Sequence, residues 1–361
     1  MTYVNFLIFS IISTYKYNKK PNRNFKRNIT FASNQFSMSE LKRIRKPIEK
    51  ELIVFEKHFK DSMKSNVPLL GIITNYILRR KGKQMRPTFV LLTSGMFGEI
   101  TPSTYTAATL IELLHTASLI HDDVVDESYE RRGFFSLNAL WRSKIAVLVG
   151  DFLLSKGLLL SVEKKEYALL EIVSEAVKQM SEGELLQIRK ARKLDITMDE
   201  YFDIIEKKTA ALISACTACG AKASGQSDEI VKKFHDFGKN VGIAFQIKDD
   251  LFDYQRVSGI GKPVANDIKE KKLTLPLIYA LRKADKSEYR KVIRMIRRKS
   301  RLASSVDKII DFVIKHGGLE YANQKMDEYK NRAIQILYDF PESESRQSLI
   351  DLVNFTVTRK K

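Results

Sequence analysis

Apolar residues in this chain return every three or four positions rather than every second one, and that spacing commits it to helices. Leu110, Leu113, Leu114, Ala117 and Ile120, for example, fall on one stripe of a helical wheel. The same period predicts helices near 40–60, 86–98, 104–127, 137–161, 166–191, 199–223, 228–254, 274–283, 304–316, 318–338 and 342–357. Turn formers are scarce: 16 glycines and 8 prolines, about half the usual share, are too few for a sandwich or barrel of many short strands. No strand run shows period two, and no repeat of fixed length occurs. Pro102 and Pro341 stand where first helical turns are expected, and Gly317-Gly318 reads as a stop between two helices. The segment from Gln255 to Lys272, with Gly259, Gly261 and Pro263, is the expected irregular stretch.

With 44% hydrophobic and 29% charged residues, the chain is neither disordered nor fibrous and is long enough for one large apolar core. Two cysteines, Cys216 and Cys219, exclude a disulfide framework and fit a reducing compartment. The net charge of +19 points to a partner with phosphates. Part of that excess lies in residues 1–37, which contain Lys and Arg but no acid. Their apolar stretch from Val4 to Ser13 is too short to span a bilayer, and the charges follow it, where a secretory signal would have them first. We expect residues 1–37 to be an extension outside the fold, with the natural chain beginning at Met38, and residues 38–361 to form the domain. An organelle transit peptide is the alternative.

Two acidic clusters interrupt this basic background. Asp122, Asp123 and Asp126 lie in HDDVVDE, and Asp249, Asp250 and Asp253 lie in KDDLFDY. Each has the form D-D-x-x-D at the end of an apolar helical pattern, so carboxylates at i and i+4 stack on one face with a third at its edge. Like charges so placed repel, and a divalent cation removes that cost. All-oxygen ligands suit Mg²⁺, which keeps several waters and binds through one or two carboxylates together with substrate phosphates. Basic groups able to hold phosphates stand beside both clusters: Lys83 and Arg86 in GKQMRP, Arg131 and Arg132 before Gly133, Lys208 before Thr209, and Lys262 and Lys272.

On these residues the chain resembles the trans-isoprenyl diphosphate synthases, and among them the long-chain polyprenyl diphosphate synthases. The resemblance runs from Met38 to the C-terminus. It rests on G-K-x-x-R-P at Gly82 to Pro87, L-I-H-D-D-V-V-D-E at Leu119 to Glu127, R-R-G at Arg131 to Gly133, and G-D at Gly150-Asp151. Further matches are K-T at Lys208-Thr209, F-Q-I-K-D-D-L-F-D at Phe245 to Asp253, and G-K-P with D-I-K-x-x-K-L-T-L-P at Gly261 to Pro276.

The resemblance implies an all-α isoprenoid synthase fold, a single large helical domain around a central cavity, as a homodimer. It implies that Asp122, Asp123, Asp126, Asp249, Asp250 and Asp253 hold Mg²⁺, up to three ions per site, bridging to an allylic diphosphate. Arg131, Lys208, Lys262 and Lys272 would contact that diphosphate, with Thr209 and Gln246 beside it. Lys83, Arg86, His115 and Arg132 would hold isopentenyl diphosphate. One departure is Lys271, where the family commonly has Gly. The reaction implied is head-to-tail condensation to a long all-trans polyprenyl diphosphate, a quinone side-chain precursor, with released diphosphate as the base.

Positions one turn or more before Asp122 point down such a cavity: Ala117, Ser118, Leu114 and Ile111. The near ones are small, which predicts a long product of roughly six to ten isoprene units; a farnesyl or geranylgeranyl synthase differs at this floor. Phe152, Leu153 and the stretch from Ile145 to Leu148 are candidates for the opposite wall, with ordinary helix core as the reading we favour. A non-catalytic subunit of a heteromeric synthase would have eroded acidic clusters, whereas both are complete. A nucleic-acid binder would not place paired acids in apolar helices. Cys216 and Cys219 are read as helix packing, His121 as structural, and the basic run from Arg290 to Arg301 as a solvated face with at most peripheral membrane contact. No nucleic-acid partner is expected, and the location expected is cytoplasmic.

Overall fold

A computed structural model describes residues 39–80, 82–131, 134–254, 265–300 and 302–359. The contacts divide the chain into two units. Of the first, residues 1–43 with Lys360, only residues 39–43 are described, and they are helical. All that follows concerns the second unit, residues 44–359.

That unit is helical nearly throughout. After a 3-10 turn at Lys46–Ile48 come α1 (Glu49–Ser62), α2 (Pro68–Leu78), α3 (Met85–Gly95) and α4 (Pro102–Val125). A minimal antiparallel ladder joins β1 (Glu130–Arg131) to β2 (Phe134–Phe135). Then follow α5 (Leu137–Glu163), α6 (Tyr167–Lys193), α7 (Met198–Ile205), a π-helical turn at Glu206–Ala210, α8 (Ala211–Ala223) and α9 (Asp228–Phe252). The chain ends with α10 (Asn266–Lys269), α11 (Leu275–Lys283), α12 (Lys286–Lys299), α13 (Ala303–Lys315), α14 (Gly318–Tyr338) and α15 (Glu344–Thr358).

Side-chain caps set several of these boundaries. Thr101 accepts from the Thr104 amide at the start of α4, Ser136 from Ala139 at α5, and Thr197 with Glu200 forms a capping box at α7. Pro102 occupies a first-turn position as expected, whereas Pro341 lies ahead of α15, whose cap is Ser343. Gly317, at a φ of 70°, separates α13 from α14. Helix α10 forms within the Gln255–Lys272 stretch expected to be irregular, and three longer elements also depart from the periodic reading. Helix α2 begins PLLGII, a continuous apolar run with no visible period; α12 is dominated by charge; and the expected 199–223 helix widens into the π-turn at Glu206–Ala210.

Helix α8 occupies the interior, packed against α3, α4, α6 and α9. Its small residues permit this: Ala211, Ser214, Ala215, Cys216, Ala218, Cys219, Gly220 and Ala221 are all buried, so the two cysteines are packing residues. One core joins Ile243, Ile247 and Leu251 of α9 to Leu275, Leu277, Ile309 and Ile310. A second core joins Leu113, Ala117 and Ile120 of α4 to Ala146, Val149 and Leu153 of α5. The stripe read from the sequence therefore faces α5, as its period requires.

The π-turn needs room on its α6 side. A Cβ on Gly183 would stand 2.8 Å from the Lys208 backbone nitrogen and 2.9 Å from the Lys207 Cβ. Gly183→Ala should therefore push the turn away from α6 and lower stability in urea unfolding by about 1–3 kcal/mol.

Candidate active site

Both acidic clusters close a helix. Asp122 and Asp123 lie in the last turn of α4 and Asp126 is its C-cap; Asp249 and Asp250 lie in the last turn of α9 and Asp253 is its C-cap. Helix ends of this polarity carry partial negative charge, so six carboxylates stand where a helix least favours them. Asp122 and Asp126 are exposed, while Asp123, Asp250 and Asp253 are buried.

The second cluster is the more elaborately held. The Tyr201 hydroxyl donates to Asp250 Oδ2 at 2.6 Å and Gln246 Nε2 donates to Asp250 Oδ1 at 3.0 Å. The Thr209 hydroxyl in turn donates to Gln246 Oε1 at 2.8 Å, so the K-T, F-Q and D-D motifs form one hydrogen-bonded chain. Burial nevertheless pushes the Asp250 carboxyl up to about 6, against the two donated hydrogen bonds and with a further push from Asp249. Asp253 Oδ2 accepts from the Asp267 amide at 2.6 Å. Burial, followed by the neighbouring Asp253 and Asp250, raises the Asp267 carboxyl to about 7.

Lys272 is fixed by backbone geometry. Lys271 stands at a φ of 63°, with its amide on the Ile268 carbonyl at 3.1 Å and the Lys272 amide on the Asp267 carbonyl at 2.8 Å. This is a left-handed stop closing α10, and it explains why glycine suits position 271. The first acidic cluster ends the same way: Glu127 has a φ of 48° and the Ser128 amide bonds the Asp123 carbonyl at 2.9 Å. Burial alone would lower the Lys272 ammonium's pKa, but Glu270, then Asp267 and Asp126, raise it on balance. Asp126 of the first cluster thus acts on a lysine that follows the second.

Arg86 opens α3, His115 is buried on α4, and the Lys83 ammonium lies 5.8 Å from the Phe355 ring centroid. Lys208 pairs with Glu184 of α6, and Lys272 with Glu270 at 2.6 Å. Arg132, Lys262 and the expected irregular residues 255–264 lie outside the described residues, as does the side chain of Arg131. His121 packs on Gly150, where a Cβ would meet its ring at 2.1 Å, and its Nε2 lies 3.4 Å from Asp151. The G-D motif thus gives this imidazole its place, and the ring also lines the cavity beside Asp122.

A cavity of about 180 Å³ opens beside Asp122 and His115, lined by Leu114, Ala117 and Ser118 of α4. Its other walls are Leu154 of α5, Val177, Met180 and Ser181 of α6, and Leu212 of α8. Ile111, a turn deeper, is fully buried in the core and does not line it. Leu153 is likewise core, and Phe152 faces a separate depression near Lys64 and Lys156. The far wall belongs to α6, which the spacing on α4 alone does not reveal.

The polyprenyl synthetase family model matches residues 67–313. The chain belongs to the polyprenyl synthetase family. It is 35% identical over 300 residues to octaprenyl diphosphate synthase of Escherichia coli, covering 83% of this chain and 93% of that one. It is 34% identical to the short chain isoprenyl diphosphate synthase of Methanothermobacter thermautotrophicus, covering 80% and 89%. Among solved structures, a decaprenyl diphosphate synthase from Rhodobacter capsulatus aligns with a TM-score of 0.83 at 34% identity over 88% of this chain and 99% of that one. A polyprenyl synthase from Caulobacter crescentus, complexed with calcium and isoprenyl diphosphate, aligns with a TM-score of 0.80 at 30% identity over 89% and 98%. The fold is the all-α isoprenoid synthase fold, and the chain is a trans-prenyltransferase.

Sequence reasoning did not single out Tyr201, Glu184, Asp267 or Arg359. Asp267 lay within a quoted motif, and its distance from Asp253 in sequence hid their pairing.

Two measurements probe the acidic pair. Asp250 and Asp267 hold protons more tightly folded than unfolded, so their contribution is present below about pH 4 and is lost as pH rises through about 6 to 7. The melting temperature of metal-free protein should therefore fall over this window, and Asp267→Asn should flatten the fall. Lys271→Gly removes the left-handed strain and should raise stability in chemical unfolding by about 1 kcal/mol.

Proposed function

We propose that this chain condenses isopentenyl diphosphate with an allylic diphosphate, using Mg²⁺, to build a long all-trans polyprenyl diphosphate. The observation that carries the reading is the pair of carboxylate clusters, with cations beside them and an apolar cavity opening next to Asp122. The donor set fits Mg²⁺ by its chemistry: every ligand candidate is a carboxylate oxygen. Asp122, Asp123, Asp126, Asp249, Asp250 and Asp253 would hold the ions, up to three. Bound Mg²⁺ supplies charge neutralisation for a departing diphosphate.

The protein's own groups do the rest. Lys208, Lys272, Arg131 and Lys262 hold the allylic diphosphate, and the chain from Thr209 through Gln246 to Asp250 fixes the carboxylate beneath it. Lys83, Arg86, His115 and Arg132 hold isopentenyl diphosphate. The allylic carbon–oxygen bond breaks with its electron pair on the diphosphate. The double bond of isopentenyl diphosphate attacks the cation, and the released diphosphate takes the proton that is lost. Cations fixed before the reaction stabilise the departing charge without reorganising, the largest source of rate in such a step.

The growing tail descends past Ser118 and Ala117. The cavity as it stands is close to the volume of an engineered core cavity of about 150 Å³ that admits one small aromatic, so elongation must displace side chains. Met180 is suited to this, being unbranched and adaptable. A quinone side-chain precursor is the product class that a tail of this length serves.

Helix α5 supports a homodimer. Its Leu140, Val147, Leu148, Leu158, Leu159 and Val162 are exposed. By length and composition Leu137–Glu163 could cross a membrane, and only 33% of its most apolar window is buried. A second copy covering this face accounts for it, since monomers rarely expose such patches. The buried free thiols support a cytoplasmic location.

The deciding assay gives purified protein Mg²⁺, labelled isopentenyl diphosphate and farnesyl or geranylgeranyl diphosphate, with product length read by chromatography. Long products are expected. Asp122→Ala should abolish them, and Ala117→Phe should shift them to the short end. Short products from the unaltered chain would favour a short-chain synthase, and no condensation would favour a non-catalytic subunit.

A further inference from the structure

Arg359, just beyond α15, ends at the second acidic cluster. Its Nη2 donates to Asp249 Oδ1, and its guanidinium carbon lies 4.2 Å from the Phe245 ring centroid and 5.6 Å from that of Phe252. Its Nε donates to the Thr356 carbonyl at 3.2 Å, which leaves the two terminal nitrogens for the acid. Phe245, Asp249 and Phe252 stand at i, i+4 and i+7, so α9 presents one stripe shaped for a planar cation: a ring, a carboxylate and a ring. The Arg359 side chain is only 21% exposed there. Asp250, the next residue, points instead to Tyr201 and Gln246. Adjacent carboxylates of one motif thus face different partners, and the one on the tail's side carries a cation.

We propose that Arg359 is a resting counter-ion of the metal site, holding the Asp249 carboxylate and giving it up when Mg²⁺ arrives. This rests on the reading of the site above. The two cations compete because Mg²⁺ requires oxygen at about 2.0–2.1 Å in near-octahedral geometry, and a guanidinium on the same carboxylate both blocks that approach and repels the ion. Metal binding and seating of the C-terminal arginine are therefore coupled with negative sign, and each weakens the other equally.

The test is isothermal titration of the intact protein with Mg²⁺ alone. Arg359→Ala should bind Mg²⁺ about five- to tenfold more tightly than the unaltered chain, and Arg359→Gln, which keeps a planar end without charge, should match it. Arg359→Lys should stay near the unaltered value. In an Asp249→Asn background the arginine substitution should change nothing. Equal or weaker Mg²⁺ binding by the Ala and Gln variants overturns the proposal. An equal gain in the Asp249→Asn background also overturns it, because the effect would then be one of general charge. If Arg359→Ala fails to fold, the Gln variant decides. An unaltered chain that condenses substrates while its variants bind Mg²⁺ no better loses the counter-ion role alone. One that neither binds Mg²⁺ nor condenses loses the functional reading, and the counter-ion role with it.

Discussion

Carboxylates gathered at the negative ends of two helices are the constraint on which the site depends. Nothing in helix formation favours Asp122, Asp123 and Asp126 closing α4, or Asp249, Asp250 and Asp253 closing α9. Each charge there opposes the helix dipole and its own neighbours, at a cost of about 0.3–1 kcal/mol apiece where exposed. The surrounding structure supplies what the helices lack. Tyr201 and Gln246 donate to Asp250, the backbone of Asp267 donates to Asp253, and Lys272 lies within reach of the fields of Asp126 and Asp267. Even so, burial pushes Asp250 and Asp267 up to about 6 and 7, with their acidic neighbours adding to the push. On the proposed function, a cation arriving at these carboxylates would displace such protons.

The helices that position this site are also those most readable in the chain. The periodic stripe from Leu110 to Ile120 runs directly into Asp122, and α4, α5, α6 and α9 begin and end within a few residues of their expected bounds. Strong periodicity explains that agreement, with side-chain caps at the starts of α4, α5 and α9. Where the signal failed, the cause is local. Helix α2 is apolar on every side at its start, α12 hides Val292 and Ile296 among seven basic residues, and the π-turn inserts Lys208 and Thr209 without breaking the helical spacing. The motif residues were legible because their types and spacing carry chemistry. Tyr201, Glu184 and Arg359 were not, because a single residue that completes a site from a distant helix leaves no mark in the local pattern. Lys271 lies between the two cases: the departure from glycine was visible, and the φ of 63° shows what that position demands.

The ion pairs around the site follow one rule. Lys208 rests on Glu184, Lys272 on Glu270, and Asp249 on Arg359. In each case a group that the proposed function assigns to a phosphate or a metal is paired with a residue outside the acidic clusters. None of these pairs is fully buried, and surface pairs of this kind are weak, typically contributing at most about 1 kcal/mol. Weakness is an advantage here. On the proposed roles substrate binding would break them all, and pairs that only prevent bare charges from repelling or collapsing can be exchanged at small cost for contacts with diphosphate. A site built on strong internal bridges would be more stable when empty and a poorer catalyst, because every bridge broken would be subtracted from the binding energy that ionisation of the allylic substrate draws upon.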